Sequence, residues 1–333
     1  MTGSVPSDAA GRNLARMEGS QVATTSSSTR SLRGSMTALV TPFRDGELDL
    51  PALELLVDRQ IEGGTDWLVP CGTTGESPTL SAAEHEGVIQ AVIRQARGRC
   101  PVMAGTGLNS TSETVRRSMQ AATEGADALL IVAPYYNRPT DEGLFRHFAA
   151  VAEAVTVPVV LYNVPLRTGV NVSNDVIVRL RRAFPNIVAI KHATGSVAGV
   201  TDLLARCDIA VLSGDDSVTW PLMALGAVGV VSVNSNLCPR LVKSLVDVAA
   251  RGDQTAAIRY HRRVYDLAEG LGCHGPNPLP IKTAMAICGL LREEFRLPLC
   301  PLPAAARNEI ERLLRRMELL EAPLGAVREA QRN

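Results

Sequence analysis

Only three of the 34 basic residues are lysines, Lys191, Lys243 and Lys282. An arginine stays protonated and cannot condense with a carbonyl, whereas a desolvated lysine amine can form an imine, so nucleophilic potential is concentrated at three positions. Lys191 ends the apolar run NIVAI, a poor setting for a solvated lysine. Two readings compete there. One is a buried ion pair, for which Asp215 and Asp216 are the nearest carboxylates, on another loop. The other is a nucleophile: an exposed lysine of pKa ~10.4 is neutral in roughly one molecule in 2500 at pH 7, and desolvation raises that fraction. Lys243 lies on the polar side of PRLVKSLVDVAARG and Lys282 follows PNPLP, which suits surface or packing roles. Tyr162 ends the run PVVLY; its phenol could pass protons to and from a carbinolamine, or be a core tyrosine with a satisfied hydroxyl. Thr73 and Thr74, in CGTTGE, offer hydroxyls and backbone N–H groups to a carboxylate, and Arg167, two residues past Pro165, could grip one bidentately. Asp216 reads as an N-cap of the next helix and His192 is ambiguous. The other four histidines show no metal-ligand spacing, so no metal is expected.

These residues need elements to hold them. From residue 36 the chain repeats one grammar: a short apolar run ending in Gly, Pro or polar residues, usually followed by a helix-length amphipathic stretch. Eight such runs occur, MTALVTP, DWLVPCGTTGE, PVMAGTG, ALLIVAPYYN, PVVLYNVP, NIVAIKHATG, IAVLSGDD and GVVSVNSN. Strands apolar on both faces and alternating with helices imply a parallel sheet covered by helices, and eight of them match a (β/α)8 TIM barrel. An open doubly wound sheet fits less well, because no G-x-G-x-x-G opens a helix after the first strand. In a barrel the site lies at the C-terminal strand ends, where the residues named above fall. The expected organisation is a disordered tail over 1–33, the barrel over 34–253, a C-terminal helical region over 254–325 and a short tail over 326–333.

Composition narrows the remaining classes. The 34 acidic residues balance the 34 basic ones, so no global field attracts nucleic acid or an anionic membrane, and no apolar run approaches membrane-spanning length. The seven cysteines form no C-x-x-C pair and sit mostly in apolar surroundings, as reduced core thiols do. Residues 1–33 lack the apolar stretch of a secretory signal; the expected location is cytoplasmic, or a plastid if this Ser-rich, Arg-bearing extension is a transit peptide.

The segments GTTGE at 72–76, PYYNRPT at 134–140, YNVPLRTG at 162–169, IKHATG at 190–195, SGDD at 213–216 and PNPLPIK at 276–282 together resemble the 4-hydroxy-tetrahydrodipicolinate synthase (dihydrodipicolinate synthase) family of pyruvate-dependent class I aldolases. The resemblance runs in order over about residues 34–303. It implies a Schiff base between Lys191 and pyruvate, proton transfer by Tyr162, and a relay completed by Thr73 and Tyr136, the latter reaching into a neighbouring subunit. It further implies that Thr74 and the Val231 backbone hold pyruvate, that Arg167 takes the carboxylate of L-aspartate 4-semialdehyde, that no cofactor is used, and that the enzyme is a homotetramer, a dimer of dimers. The product would be 4-hydroxy-tetrahydrodipicolinate, in lysine and diaminopimelate biosynthesis. Ser77, His85, Asn109, Glu113 and Tyr135 match the family's allosteric lysine site, although Pro78 and Ala82 depart from its usual neighbours. His192 also departs, standing where the family usually has Glu. The alternatives are a sister aldolase of the N-acetylneuraminate lyase or keto-deoxy-sugar type, or a catalytically silent barrel acting as a binding protein.

Overall fold

The computed structural model of the protein describes residues 32–320. Most of the tail expected over 1–33, with the transit-peptide reading that rests on it, and the whole tail expected over 326–333 lie outside the described residues. Each of the eight apolar runs forms a strand: β1 (Gly34–Ala38), β2 (Trp67–Val69), β3 (Met103–Gly105), β4 (Ala128–Val132), β5 (Val159–Asn163), β6 (Ile187–His192), β7 (Ala210–Ser213) and β8 (Gly229–Ser232). They pair in parallel in the order β2-β1-β8-β7-β6-β5-β4-β3. The ring closes between β2 and β3. There Leu68 bridges Val102, the Leu68 N–H donates to Pro101 O at 2.9 Å, and the Gly105 N–H donates to Pro70 O at 3.0 Å. At the β1–β8 seam the backbones approach so closely that a Cβ on Gly229 would lie 2.1 Å from Gly34 O, which only glycine permits.

The intervening helices are α1 (Leu50–Glu62), α2 (Ala82–Ala96), α3 (Thr111–Thr123), α4 (Asp141–Ala154), α5 (Asn174–Ala183), α6 (Val197–Arg206), α7 (Thr219–Ala224) and α8 (Pro239–Ala250). Their starts are written locally. Asp49, Ser81, Ser110, Thr140, Ser173 and Ser196 each accept a backbone N–H of the first turn that follows, and Ser81 with Glu84 forms a reciprocal capping box. Each such cap contributes typically ~1 kcal/mol.

Alternation along the strands divides the core into two layers. Met36, Val69, Met103, Leu130, Val160, Ala189 and Val231 fill the barrel interior. Leu68, Leu129, Ile131, Leu161, Ile190 and Val211 face outward and pack with the helices. Three further helices follow, α9 (Gln254–Gly272), α10 (Leu279–Ile287) and α11 (Ala304–Arg316). They share an apolar cluster with Val40 and Leu56, so the C-terminal helices rest on the start of the barrel rather than on one another alone. The expectation of core thiols needs correction. Cys71, Cys100 and Cys238 are buried, but Cys273 and Cys300, in the loops beside α10 and α11, are exposed.

Candidate active site

β5 and β6 are neighbours in the barrel wall, with Tyr162 and Lys191 as direct partners across the ladder. Val160 and Ala189 point into the barrel, and a period of two turns Tyr162 and Lys191 to the same side. Both residues are 5 % exposed, and the Lys191 ammonium nitrogen lies 4.2 Å from the centre of the Tyr162 ring. No carboxylate lies within ion-pair distance of Lys191 among the described residues. The other two lysines are committed: Lys243 to Asp247 at 2.5 Å and Asp66 at 3.4 Å, and Lys282 to Glu76 at 2.5 Å. The buried ion pair weighed for Lys191 is thus found at Lys282, which is fully buried, so of the surface and packing roles expected for it the surface one does not hold. Lys191 remains as the uncommitted amine.

Beside this pair, over the C-terminal ends of β2 to β5, opens a cleft of about 230 Å3 lined by Thr73, Ser77, Leu130, Tyr135, Tyr162 and Arg167 among others. Arg167 rides on a single helical turn, Pro165–Thr168, that follows β5 directly, and its guanidinium donates to the Asn277 carbonyl at 3.0 Å. Thr74 is buried, and its hydroxyl accepts from the Asn277 side-chain amide at 2.9 Å. Asn277 therefore ties the β2 loop and the β5 loop to the segment before α10. The turn carrying Thr73 sits close against β3, for a Cβ on Gly105 would lie 2.4 Å from Cys71 O. Val231 is buried in the barrel interior near the C-terminal end of β8.

Asp216 does not cap a following helix with its side chain. It is buried and accepts from the Ser232 hydroxyl at 2.5 Å and the Val233 and Asn234 N–H groups at 2.9 and 3.0 Å, so it binds the β7 loop to the end of β8. Burial raises its pKa, opposed by these donors and by the charge of Lys191.

A free lysine amine against a tyrosine, at the mouth of a barrel with a threonine turn and an arginine alongside, equips the site for imine chemistry on a small carboxylate-bearing carbonyl compound. Residues 31–317 match the Dihydrodipicolinate synthetase family. The chain belongs to this family. It is 52% identical over 277 residues to the 4-hydroxy-tetrahydrodipicolinate synthase of Pelobacter propionicus, covering 83% of this chain and 95% of that protein. Its fold is similar to that of dihydrodipicolinate synthase from Aquifex aeolicus, with TM-score 0.85 and 44% identity over 86% of this chain and 98% of that one. It is also similar to a dihydrodipicolinate synthase from Cyanidioschyzon merolae with lysine bound, with TM-score 0.84 and 37% identity over 86% of this chain and 99% of that one.

Other positions expected from the family motifs separate into those gathered at the cleft and those apart from it. Ser77 and Tyr135 line the cleft with Thr73. His85, on α2, is buried and bonded through its ring to Gly105 O at 2.8 Å; burial first, and then the Arg117 charge, holds its pKa down at about 4. Glu113, on α3, is held at about 2 by hydrogen bonds from Arg116 and Arg117. Asn109 uses its carbonyl to accept from the Asn137 amide at 2.9 Å. Tyr136 is 89% exposed, with a left-handed backbone at φ 72°, and does not line the cleft. His192 alternates to the opposite face from Lys191, is buried, and lies near Thr194 of the following loop and Gly199 of α6, away from the barrel interior. Two positioning groups, Asn277 and the Lys282–Glu76 pair, were not anticipated. The motif PNPLPIK contains both Asn277 and Lys282, but it reads locally as a rigid connector.

Proposed function

We propose that this protein condenses pyruvate with L-aspartate 4-semialdehyde through a Schiff base on Lys191, giving 4-hydroxy-tetrahydrodipicolinate. The observation that carries the reading is the uncommitted Lys191 amine in register with Tyr162 at the barrel mouth. The neutral amine attacks the keto carbon of pyruvate, and the Tyr162 hydroxyl protonates the carbinolamine oxygen, which leaves as water. The iminium then withdraws electrons from the pyruvate methyl group, whose proton passes to the Tyr162 phenolate, and the resulting enamine carbon attacks the aldehyde carbon of the second substrate, whose oxygen takes that proton to become the 4-hydroxyl. Last, the substrate's own amine attacks the imine carbon and expels Lys191. Thr73 and Tyr136 complete the proton relay. Thr74 and the Val231 backbone hold the pyruvate carboxylate, and Arg167 takes the carboxylate of the semialdehyde. The test is borohydride reduction with pyruvate alone followed by a coupled assay with both substrates: a covalent adduct mapping to Lys191 supports the reading, and an adduct elsewhere or none refutes it.

The active form we propose is a homotetramer, a dimer of dimers. Support comes from Tyr136, whose side chain is exposed on a left-handed backbone and whose N–H donates to Thr168 O at 3.3 Å, and from Leu166 of the same Pro165–Thr168 turn, 96% exposed, as befits groups covered by another copy. The set Ser77, His85, Asn109, Glu113 and Tyr135 is proposed as a weak site for L-lysine, supported by the lysine-bound relative from Cyanidioschyzon merolae. Glu113 is already engaged by two arginines, so a ligand ammonium must compete for it, and Pro78 and Ala82 remove contacts. Among the described residues no helix is long and apolar enough to cross a membrane, and a cytoplasmic location is proposed.

A further inference from the structure

The Lys282 ammonium is 0% exposed and donates to two acceptors that belong to different parts of the barrel mouth, Thr41 O at 3.0 Å and Glu76 at 2.5 Å. The Phe43 and Phe295 rings flank it at 4.5 and 4.9 Å. Glu76 closes the turn that carries Thr73 and Thr74. It is itself buried in a left-handed conformation at φ 53°, its N–H donates to Thr73 O at 3.1 Å, and its second oxygen accepts from the Arg296 N–H at 3.2 Å. Thr41 grips the same turn from the other side, its hydroxyl donating to Gly75 O at 2.7 Å. A left-handed non-glycine residue is retained only where its surroundings over-determine it, and here the surroundings are an ion pair sealed from water. Burying two charges is costly unless geometry and further hydrogen bonds offset the loss of solvent, so an apolar pair would serve packing at least as well. Orientation of the turn is what the charges supply beyond packing.

We propose that Lys282, through Glu76 and Thr41, is a positioning residue for pyruvate capture: it sets the turn that presents Thr74 to the carboxylate of the Lys191-bound substrate and carries Thr73 beside it. This rests on the pyruvate–imine reading above. Lys282→Met alone leaves a buried carboxylate without a counter-charge and can unfold the chain, so the informative variant is Lys282→Met with Glu76→Gln, which removes both charges. Thr41→Val, which removes the grip on Gly75 and keeps the ion pair, is its companion. Steady-state kinetics with each substrate varied, melting temperature, and borohydride trapping at saturating pyruvate are measured together. The expected result is a pyruvate KM raised by about tenfold or more in both variants, a semialdehyde KM within about twofold of wild type, and complete trapping at saturation, since misplacing a binding group by ~1 Å weakens capture without removing the nucleophile. A lowered melting temperature with unchanged KM values would reduce the pair to packing and overturn the proposal. If the double variant does not fold, Glu76→Gln alone, which removes the ion pair while keeping the shape of the side chain, decides by the same KM criterion. Absence of trapping in the wild-type protein would sink the imine reading itself, a different outcome from trapping with unmoved KM.

Discussion

At the scale of single residues, the chemistry depends on which lysine is free. Lys243 and Lys282 are held by carboxylates and Lys191 is not, so Lys191→Arg should abolish borohydride trapping of pyruvate while the fold persists, as read by circular dichroism. Tyr162→Phe keeps the ring beside the amine and removes only the hydroxyl. Its activity should fall by ~10²–10⁴-fold, the usual contribution of a positioned proton donor, with trapping slowed rather than lost. Arg167 lies on a different loop from Thr73 and Thr74 and lines the cleft from the β5 side. Arg167→Ala should raise the KM for semialdehyde by roughly ten- to 150-fold, the equivalent of ~1.5–3 kcal/mol for a lost charge-assisted hydrogen bond, and leave that for pyruvate near wild type. Equal damage to both substrates would show that Arg167 does not discriminate between them.

At the scale of elements, α2 meets β3 through a histidine that must stay neutral. His85 is bonded to Gly105 O, and burial lowers its pKa from 6.5 to about 4. A histidine whose folded pKa lies below its unfolded value contributes stability above the unfolded pKa. That contribution declines as pH falls from 6.5 toward 4, because the unfolded chain takes up a proton that the native one refuses. The decline approaches ~3 kcal/mol at most at ~1.4 kcal/mol per unit. His147, lowered to about 4 by burial alone, acts in the same window. Denaturant titrations across that range should therefore show falling stability. His85→Gln, which retains a donor for Gly105 O, should flatten the slope, and an unchanged slope would reject His85 as a source. The carboxylates Glu84 and Glu113, both held at about 2, act lower, losing their contribution as pH falls from 4.5 toward 2. Gly105→Ala probes the neighbouring packing of β3 against the threonine turn. With only 2.4 Å between the new Cβ and Cys71 O, the threonine turn must shift, at a cost of ~1–3 kcal/mol and with a higher pyruvate KM.

At the scale of the whole molecule, Tyr136 stands exposed and outside the lining of its own chain's cleft. Mixing inactive Tyr136→Phe with inactive Lys191→Ala protein under subunit exchange should restore activity, because mixed assemblies contain sites with both an intact Lys191 and an intact Tyr136. No recovery, with exchange proven by native mass spectrometry, would make the tyrosine an intrasubunit group or no part of the relay.

The eight strands and their alternation with helices were legible in the sequence, because each is encoded within a few residues. A parallel strand buried on both faces is a continuous apolar run. The same locality exposed Lys191 and Tyr162, since a polar group ending such a run lies at the mouth of a barrel. What only the tertiary structure decided is which groups hold the site in shape. Lys282 reaches Glu76 across 206 positions and Asn277 reaches Thr74 across 203, and no period or cap connects residues so far apart. Asp216 reads locally as a helix cap and becomes the anchor of β8 only once β7 and β8 are adjacent. Local patterns specify elements because their energies are settled within a turn or a strand; the partners of buried charges are settled by where the elements meet.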